Sequence, residues 1–193
     1  MGDIKKPKKK YLTPSHPWIQ QEIDEYRQAR QDYGLTKRKE LLITNSFLKK
    51  YKDIAKRLIA DTTAQGQHEK EQMLTKLTKY GLLSAGARVD DVLSLQTKDL
   101  LERRLQTMVV RKGLARSFKQ ARQLIVHRHI LSGSNEITSP SYLVPVDEEA
   151  NLSFKVSSSL AQADHPERVN IAKPIVEKPK RPAKKDEKKR KRR

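Results

Sequence analysis

The chain has 193 residues, with 42 lysines and arginines against 23 aspartates and glutamates, a formal net charge of +19 at pH 7. It contains no cysteine, which excludes disulfides, a thiolate zinc knuckle and a thiol nucleophile. No apolar run approaches the roughly 20 residues that span a membrane, and Met1-Gly2-Asp3-Ile4 followed by lysines lacks the apolar stretch of a signal peptide. The expectation is a soluble, intracellular protein with no membrane partner.

The charge is unevenly spread. Residues 101–146 hold eight cations against Glu102 and Glu136, the stretch from Lys173 onward holds 12 against 3, and the first ten residues hold 5 against 1. The rest of the chain balances. Positive charge confined to one module and two tails points to a polyanionic partner rather than to general solubility.

In chain order, the lysine-rich arm 1–14 has little to bury and is expected to be ordered only by a partner. Ser15 is a candidate N-cap with Pro17 in the first turn. Ile19, Ile23, Tyr26 and Arg30 then follow at helical spacing, and Gly34 supplies a left-handed stop. Thr36 can cap a longer helix with Leu41, Leu48, Tyr51, Ala55 and Leu58 on one stripe. Lys49, Lys52 and Lys56 share another face of it, either an ordinary solvated face or a second phosphate-contacting surface. A polar stretch, Asp61 to Lys70, precedes a shorter helix carrying Met73, Leu74, Leu77 and Tyr80, closed by Gly81. Leu82 to Leu95 is irregular. Thr97 is expected to cap a helix with Leu101, Leu105 and Met108 inward, ending at Lys112-Gly113. Ser117 and Gln120 form an S-x-x-Q capping box that starts the next helix, with Ala121, Leu124 and Ile125 buried. Past His129 the period becomes alternating. Ile130-Leu131, a Ser132-to-Asn135 turn, Ile137 and Tyr142 to Val144 suggest short antiparallel strands, and Phe154 with Val156 another.

The fold class expected is mainly α with a small β portion. The chain divides into a basic arm (1–14), a helical body (15–96), a module of two helices and short strands (97–146), a return segment packing on the body (147–172) and a disordered basic tail (173–193).

The chemistry gathers around one helix-turn-helix junction. Arg111 and Lys112 end the first helix, Arg116 and Ser117 open the second, and Lys119, Gln120, Arg122 and Gln123 lie on it. Arg103 and Arg104 extend the surface backward and Arg128 extends it forward. A helix N-terminus offers backbone N–H donors to a phosphate, and arginine forks match its oxygens. Aromatic residues are only 5% of the chain, too few for a stacking platform that grips single strands. Charge and donors without stacking suit the shape, phosphates and 2′-hydroxyls of structured RNA, although a helix-turn-helix also reads DNA.

Leu101 to Val146, with Ser117-Phe118-Lys119-Gln120-Ala121-Arg122-Gln123-Leu124-Ile125 as its signature, resembles the αL RNA-binding module of two short helices and a small strand arrangement. Tyr33-Gly34-Leu35-Thr36-Lys37-Arg38-Lys39-Glu40-Leu41 resembles a helical-body motif of one family carrying that module. Asp164-His165-Pro166-Glu167-Arg168 resembles that family's ending. The family is the fourth protein of the small ribosomal subunit, archaeal and eukaryotic branch, and the similarity runs from Pro14 to Val169.

The resemblance implies a structural constituent of the small subunit in the cytoplasmic ribosome. It would bind structured small-subunit ribosomal RNA early in assembly and touch neighbouring ribosomal proteins. No small-molecule substrate, cofactor, metal or catalytic step is implied. Arg116, Ser117, Lys119, Gln120, Arg122 and Gln123 match the module's RNA-facing segment. Lys37, Arg38 and Lys39, with Lys49, Lys52 and Lys56, are secondary candidates on the body. Two departures stand out: His127-Arg128-His129 replaces the usual His-Gly-His, and Leu131-Ser132-Gly133 a Val-Asn-Gly turn. The zinc-binding cysteines of some bacterial relatives are absent.

Other readings carry less. His127 and His129 lack a third ligand for a metal. Asp90-Asp91 and Asp147-Glu148-Glu149 have no nucleophile or histidine near them and read as capping or solvated acids. Gly113 to Ser117 lacks the P-loop ending. The Lys188 to Arg193 run reads as a nuclear localisation signal or as a second RNA-binding arm, the latter preferred. The rival functions are a ribosome-biogenesis factor absent from the mature particle, an RNA-modifying or aminoacylating enzyme with an appended module, and a DNA-compacting protein. The segment before Thr97 shows no catalytic constellation, which weighs against the enzyme.

Overall fold

The computed structural model describes residues 9–162 and residue 165. The expected tail 173–193, residues 1–8 and the Asp164-to-Arg168 motif apart from His165 lie outside the described residues.

Helix α1 spans Gln20–Tyr33, later than a Ser15 cap would allow. His16 precedes Pro17, and the residue before a proline is disfavoured in the helical region. Arg38 Nη1 also donates to the Pro17 carbonyl at 3.0 Å, holding the segment ahead of the helix. Gly34 ends α1 at φ 61°, as the sequence predicts. Helix α2, Arg38–Ala60, begins after Lys37 rather than after Thr36. The Thr36 hydroxyl donates instead to Glu40 Oε1 at 2.7 Å. Helix α3, Ala64–Lys79, starts inside the stretch read as a polar linker. Thr63 Oγ1 accepts from the Gly66 N–H at 3.1 Å and caps it, so polarity alone concealed its first turns. A four-residue helix α4, Asp91–Ser94, then carries Val92 into the core. Leu48, Tyr51, Ala55 and Leu58 of α2 meet Met73 and Leu77 of α3 there, with Val92, Leu95 and Leu100.

The helix expected from Thr97 to Lys112 is broken. Helix α5 covers Thr97–Glu102 and helix α6 covers Leu105–Arg111, with Arg104 in extended conformation between them. Gln96, not Thr97, precedes α5, and its N–H donates to Asp99 Oδ2 at 2.7 Å. The break is filled by chain pairing. Val144 N donates to the Arg103 carbonyl at 3.0 Å, Leu105 N to the Tyr142 carbonyl at 2.7 Å, and Arg104 bridges Leu143. Backbone groups that a continuous helix would satisfy internally are satisfied from outside. This also explains why Tyr142 to Val144 is not a strand of the small sheet, as its alternation suggested. Its partners are Arg103 to Leu105.

Helix α7, Phe118–Val126, packs on α6 and buries Ala121, Leu124 and Ile125. Strands β1, Ile130–Ser132, and β2, Asn135–Glu136, form a hairpin across Gly133-Ser134, where Gly133 takes φ 62°. After helix α8, Val146–Glu149, strand β3, Leu152–Phe154, joins β1 on its other side. The sheet is antiparallel in the order β2-β1-β3. Phe154 is thus in a strand, whereas Val156 and Ile137 lie outside the named strands. Leu152, Phe154 and Leu160 pack on the second core, that of Leu105, Val109, Ala121, Leu124, Ile125, Ile130 and Val144. Over 152–160 the return segment therefore lies on the module rather than on the body, because β1 offers it an open hydrogen-bonding edge.

A third, small cluster of Tyr33, Leu35 and Leu101 lies between the two cores. Gln106 Nε2 reinforces this junction by donating to the Phe118 carbonyl at 2.9 Å and to the Gly34 carbonyl at 3.4 Å. A Cβ at Gly34 would stand 2.2 Å from Phe118 Cβ. Glycine is therefore required here for its left-handed φ and for the close approach of the module. Phe118 is a packing residue of the junction.

Candidate nucleic-acid interface

The cations of the module divide into two groups. The first is turned inward. Arg104 is 3% exposed and its Nη2 pairs with Glu40 Oε2 at 2.7 Å. Arg122, half-buried on α7, pairs through Nη1 with Glu40 Oε1 at 3.1 Å. Arg103 donates from Nη1 to Glu149 at 2.7 Å and from Nη2 to the Val144 carbonyl at 2.9 Å. The expected surface running back over Arg103 and Arg104 is therefore not an open face. Burial raises the pKa of Glu40, but the hydrogen bonds from Arg104 and Thr36 and the charges of Arg104 and Arg122 outweigh it and hold it below the ordinary carboxylate range. One carboxylate of the body thus clamps α6 and α7 of the module, a role that sequence reading missed.

The second group is open. Arg111, Lys112, Arg116, Ser117, Lys119, Gln123 and Arg128 are exposed. Arg111 makes an exposed pair with Glu102 at 3.0 Å, which leaves its guanidinium reachable by solvent. Ser117 Oγ accepts from the Gln120 N–H at 3.3 Å, and Gln120 Oε1 accepts from the Arg116 N–H at 2.8 Å. Gln120 therefore organises the start of α7 from beneath, half-buried. Lys119 and Gln123, four apart, stand on one face of α7, and Ala121, Leu124 and Ile125 hold the opposite face in the core. A rigid helix start with cations on both sides can bind several phosphates at fixed spacing.

Arg128 has a backbone consequence. The Arg128 N–H donates to the Ile125 carbonyl and the His129 N–H to the Leu124 carbonyl, a Schellman ending of α7. The same pattern ends α3 at Gly81 (φ 65°) and α6 at Gly113 (φ 71°). At α7 the left-handed position is taken by Arg128 at φ 62°, the one non-glycine residue of positive φ among those described. This accounts for the glycine usual in the resembled module, and arginine there carries a strain of about 1 kcal/mol. Arg128→Gly should raise stability by about 1 kcal/mol, less the favourable interaction of a cation with the helix C-terminus. A denaturation midpoint equal to or below that of the unchanged protein would contradict this.

On the body, Lys37, Lys39, Lys49 and Lys56 are exposed and Lys52 is half-buried. Lys49, Lys52 and Lys56 follow at spacings of three and four on α2 and lie along one side of it, while Lys37 and Lys39 stand at its start. Lys49 lines a groove with Lys9, Lys10, Lys50 and Arg57, whereas Lys52 lines one beside Gln96 and Lys98. Arg38 is held by Glu22 at 2.9 Å, and Lys39 stands 5.7 Å over the Tyr11 ring. The acidic runs are structural. Asp91 Oδ2 accepts from the Arg88 N–H at 2.7 Å, and Glu148 accepts from Ser132 Oγ at 2.6 Å and from the Tyr142 hydroxyl. Among the described residues no three of His, Cys, Asp and Glu gather as a metal site. The His127 and His129 rings lie 6.4 Å apart, and His129 Nδ1 shares a hydrogen bond with Ser158 Oγ.

Residues 103–149 match the S4 domain family, beginning at the break between α5 and α6. Over 174 residues the chain is 47% identical to small ribosomal subunit protein uS4 of Methanococcus aeolicus, covering 90% of this chain and 98% of that protein. The uS4 proteins of Methanococcus maripaludis and Methanococcus vannielii are 47% and 46% identical, each over 87% of this chain and 95% of theirs. The chain belongs to the small ribosomal subunit protein uS4 family.

Proposed function

We propose that the protein is a structural constituent of the small ribosomal subunit, in the cytoplasm, and that it binds folded small-subunit ribosomal RNA through its module early in assembly. The observation that supports this best is the division of the cations. Glu40 and Glu149 occupy Arg104, Arg122 and Arg103 inside the fold, while Arg111, Lys112, Arg116, Lys119 and Arg128 are left on the outside. The inner set fixes the outer set relative to the body. A second contact through Lys37, Lys39, Lys49 and Lys56 would let one rigid protein fix the angle between two RNA helices. Neighbouring ribosomal proteins would meet the remaining surface. Catalysis has no part in this reading.

The test is competition between folded small-subunit RNA and duplex DNA of equal length, across a salt series. Preference for the RNA is expected to persist at every salt, with a log–log slope of about −4.5 to −5.5 for five or six phosphate contacts. Equal affinity for both would favour a DNA-compacting role. The relatives are themselves named as subunit proteins, which weighs against a factor that leaves the particle.

A further inference from the structure

We infer that Trp18 is a stacking site for an unpaired base of the RNA, a contact on the body separate from the basic module; the inference rests on the function proposed above. Trp18 is 87% exposed and is the one tryptophan of the chain. It precedes α1, and the stripe that α1 and the following loop turn inward, Ala29, Tyr33 and Leu35, does not include it. Leaving so large an apolar ring in water is unfavourable unless a partner covers it.

The surroundings select the partner. From Ile4 to Gln21 the sequence has five lysines and no carboxylate. The nearest acids of α1 are neutralised, Glu22 by Arg38 at 2.9 Å and Asp24 by Arg27 at 2.7 Å. An approaching polyanion thus meets no carboxylate on the segment that carries the ring, whereas an acid-free, lysine-rich sequence is a poor match for the rest of a basic ribonucleoprotein's protein surface. Aromatic rings set among cations are how nucleobases are gripped, since every base has a face to stack.

The ring is also presented on a fixed backbone. The Leu12 N–H donates to Ser46 Oγ of α2 at 2.9 Å, and Arg38 Nη1 holds the Pro17 carbonyl at 3.0 Å. Segment 12–17 is thereby tied to α2 at both ends, so little ordering cost remains when a base arrives. Tyr11, the aromatic of the arm, has Lys39 over its ring. Stacking here would be by a single residue, consistent with a composition too poor in aromatics for a platform.

Because Trp18 is the sole tryptophan, its fluorescence reports on this site alone. The full chain is titrated with a folded small-subunit ribosomal RNA transcript and with a fully paired RNA duplex, binding being followed separately by filter retention. At saturation the transcript is expected to quench Trp18 and shield it from acrylamide, and the duplex to leave it accessible. Trp18→Ala is expected to weaken transcript binding about tenfold, with Trp18→Phe recovering part of the loss, while duplex binding is unchanged. Trp18 that stays accessible to acrylamide in the saturated transcript complex overturns the inference and leaves the RNA-binding function standing. Shielding that occurs in purified small subunits but not in the RNA complex overturns it in favour of a protein neighbour. Failure of the transcript to bind by filter retention overturns the function and this inference together.

Discussion

Replacing Glu40 with glutamine is expected to destabilise the protein by about 3 kcal/mol, a fall in melting temperature of roughly 6–12 °C for a chain of this size. Glu40 is the shared partner of Arg104 at 2.7 Å and Arg122 at 3.1 Å, and it accepts from Thr36 at 2.7 Å. Its side chain is 17% exposed and that of Arg104 is 4% exposed. Glutamine keeps the shape and removes the charge, so Arg104 stays buried without an opposite charge, and that is the costly half of breaking a buried pair. A double change of Glu40 and Arg104 to apolar residues of similar volume should recover much of the loss. The pH dependence has a definite sign. The folded protein holds Glu40 below the ordinary carboxylate range, so this stabilisation is present above that range and disappears as pH falls through the lowered value. The unchanged protein should lose stability on acidification more steeply than Glu40→Gln. Parallel curves from chemical denaturation at several pH values would contradict the clamp.

Removing the outer charges should do the opposite, leaving the fold intact and weakening affinity. Arg111, Arg116 and Lys119 changed together to alanine are expected to alter stability by no more than about 0.5 kcal/mol each, because all three are exposed. Affinity for folded small-subunit RNA should fall on the order of a hundredfold at low salt, and the salt slope should flatten by about two to three units. The loss should be nearly independent of RNA sequence, since phosphate contacts position without reading bases. Gln123→Ala, on the same face of α7 but uncharged, should weaken binding without flattening the slope. A triple variant that keeps both its affinity and its slope would remove the α7 face from the interface.

Much of this arrangement is legible in the residues. The stops at Gly34, Gly81 and Gly113, the Ser117 cap and the buried stripe of α7 follow from local chemistry, because each is set by the residues of its own helix and the turn beside it. The sign and place of the charge excess follow as well. What periodicity could not reveal is pairing at a distance. Leu101, Leu105 and Met108 fit a continuous helix, yet Arg103 to Leu105 take their partners from Tyr142 and Val144, about 40 positions on. Arg104 and Arg122 are further still from Glu40, 64 and 82 positions along the chain. As sequence they are two residues of a basic surface and one acid in a helical motif, and only the fold brings them together. Arg128 is intermediate. Its departure from glycine is visible as a resemblance broken at one position, and the Schellman geometry supplies the reason.

The central claim, that the protein is a fixed part of the small subunit held by its RNA, is tested most directly by sedimentation of cell lysate in low and high salt with every fraction probed for the protein. It is expected to remain in the small-subunit peak through a high-salt wash, because a rigid protein held at both its module and its body leaves only when the two contacts open together. Its presence only in lighter precursor fractions, or its release by moderate salt, would contradict the account and identify it instead as a factor that leaves before the particle matures.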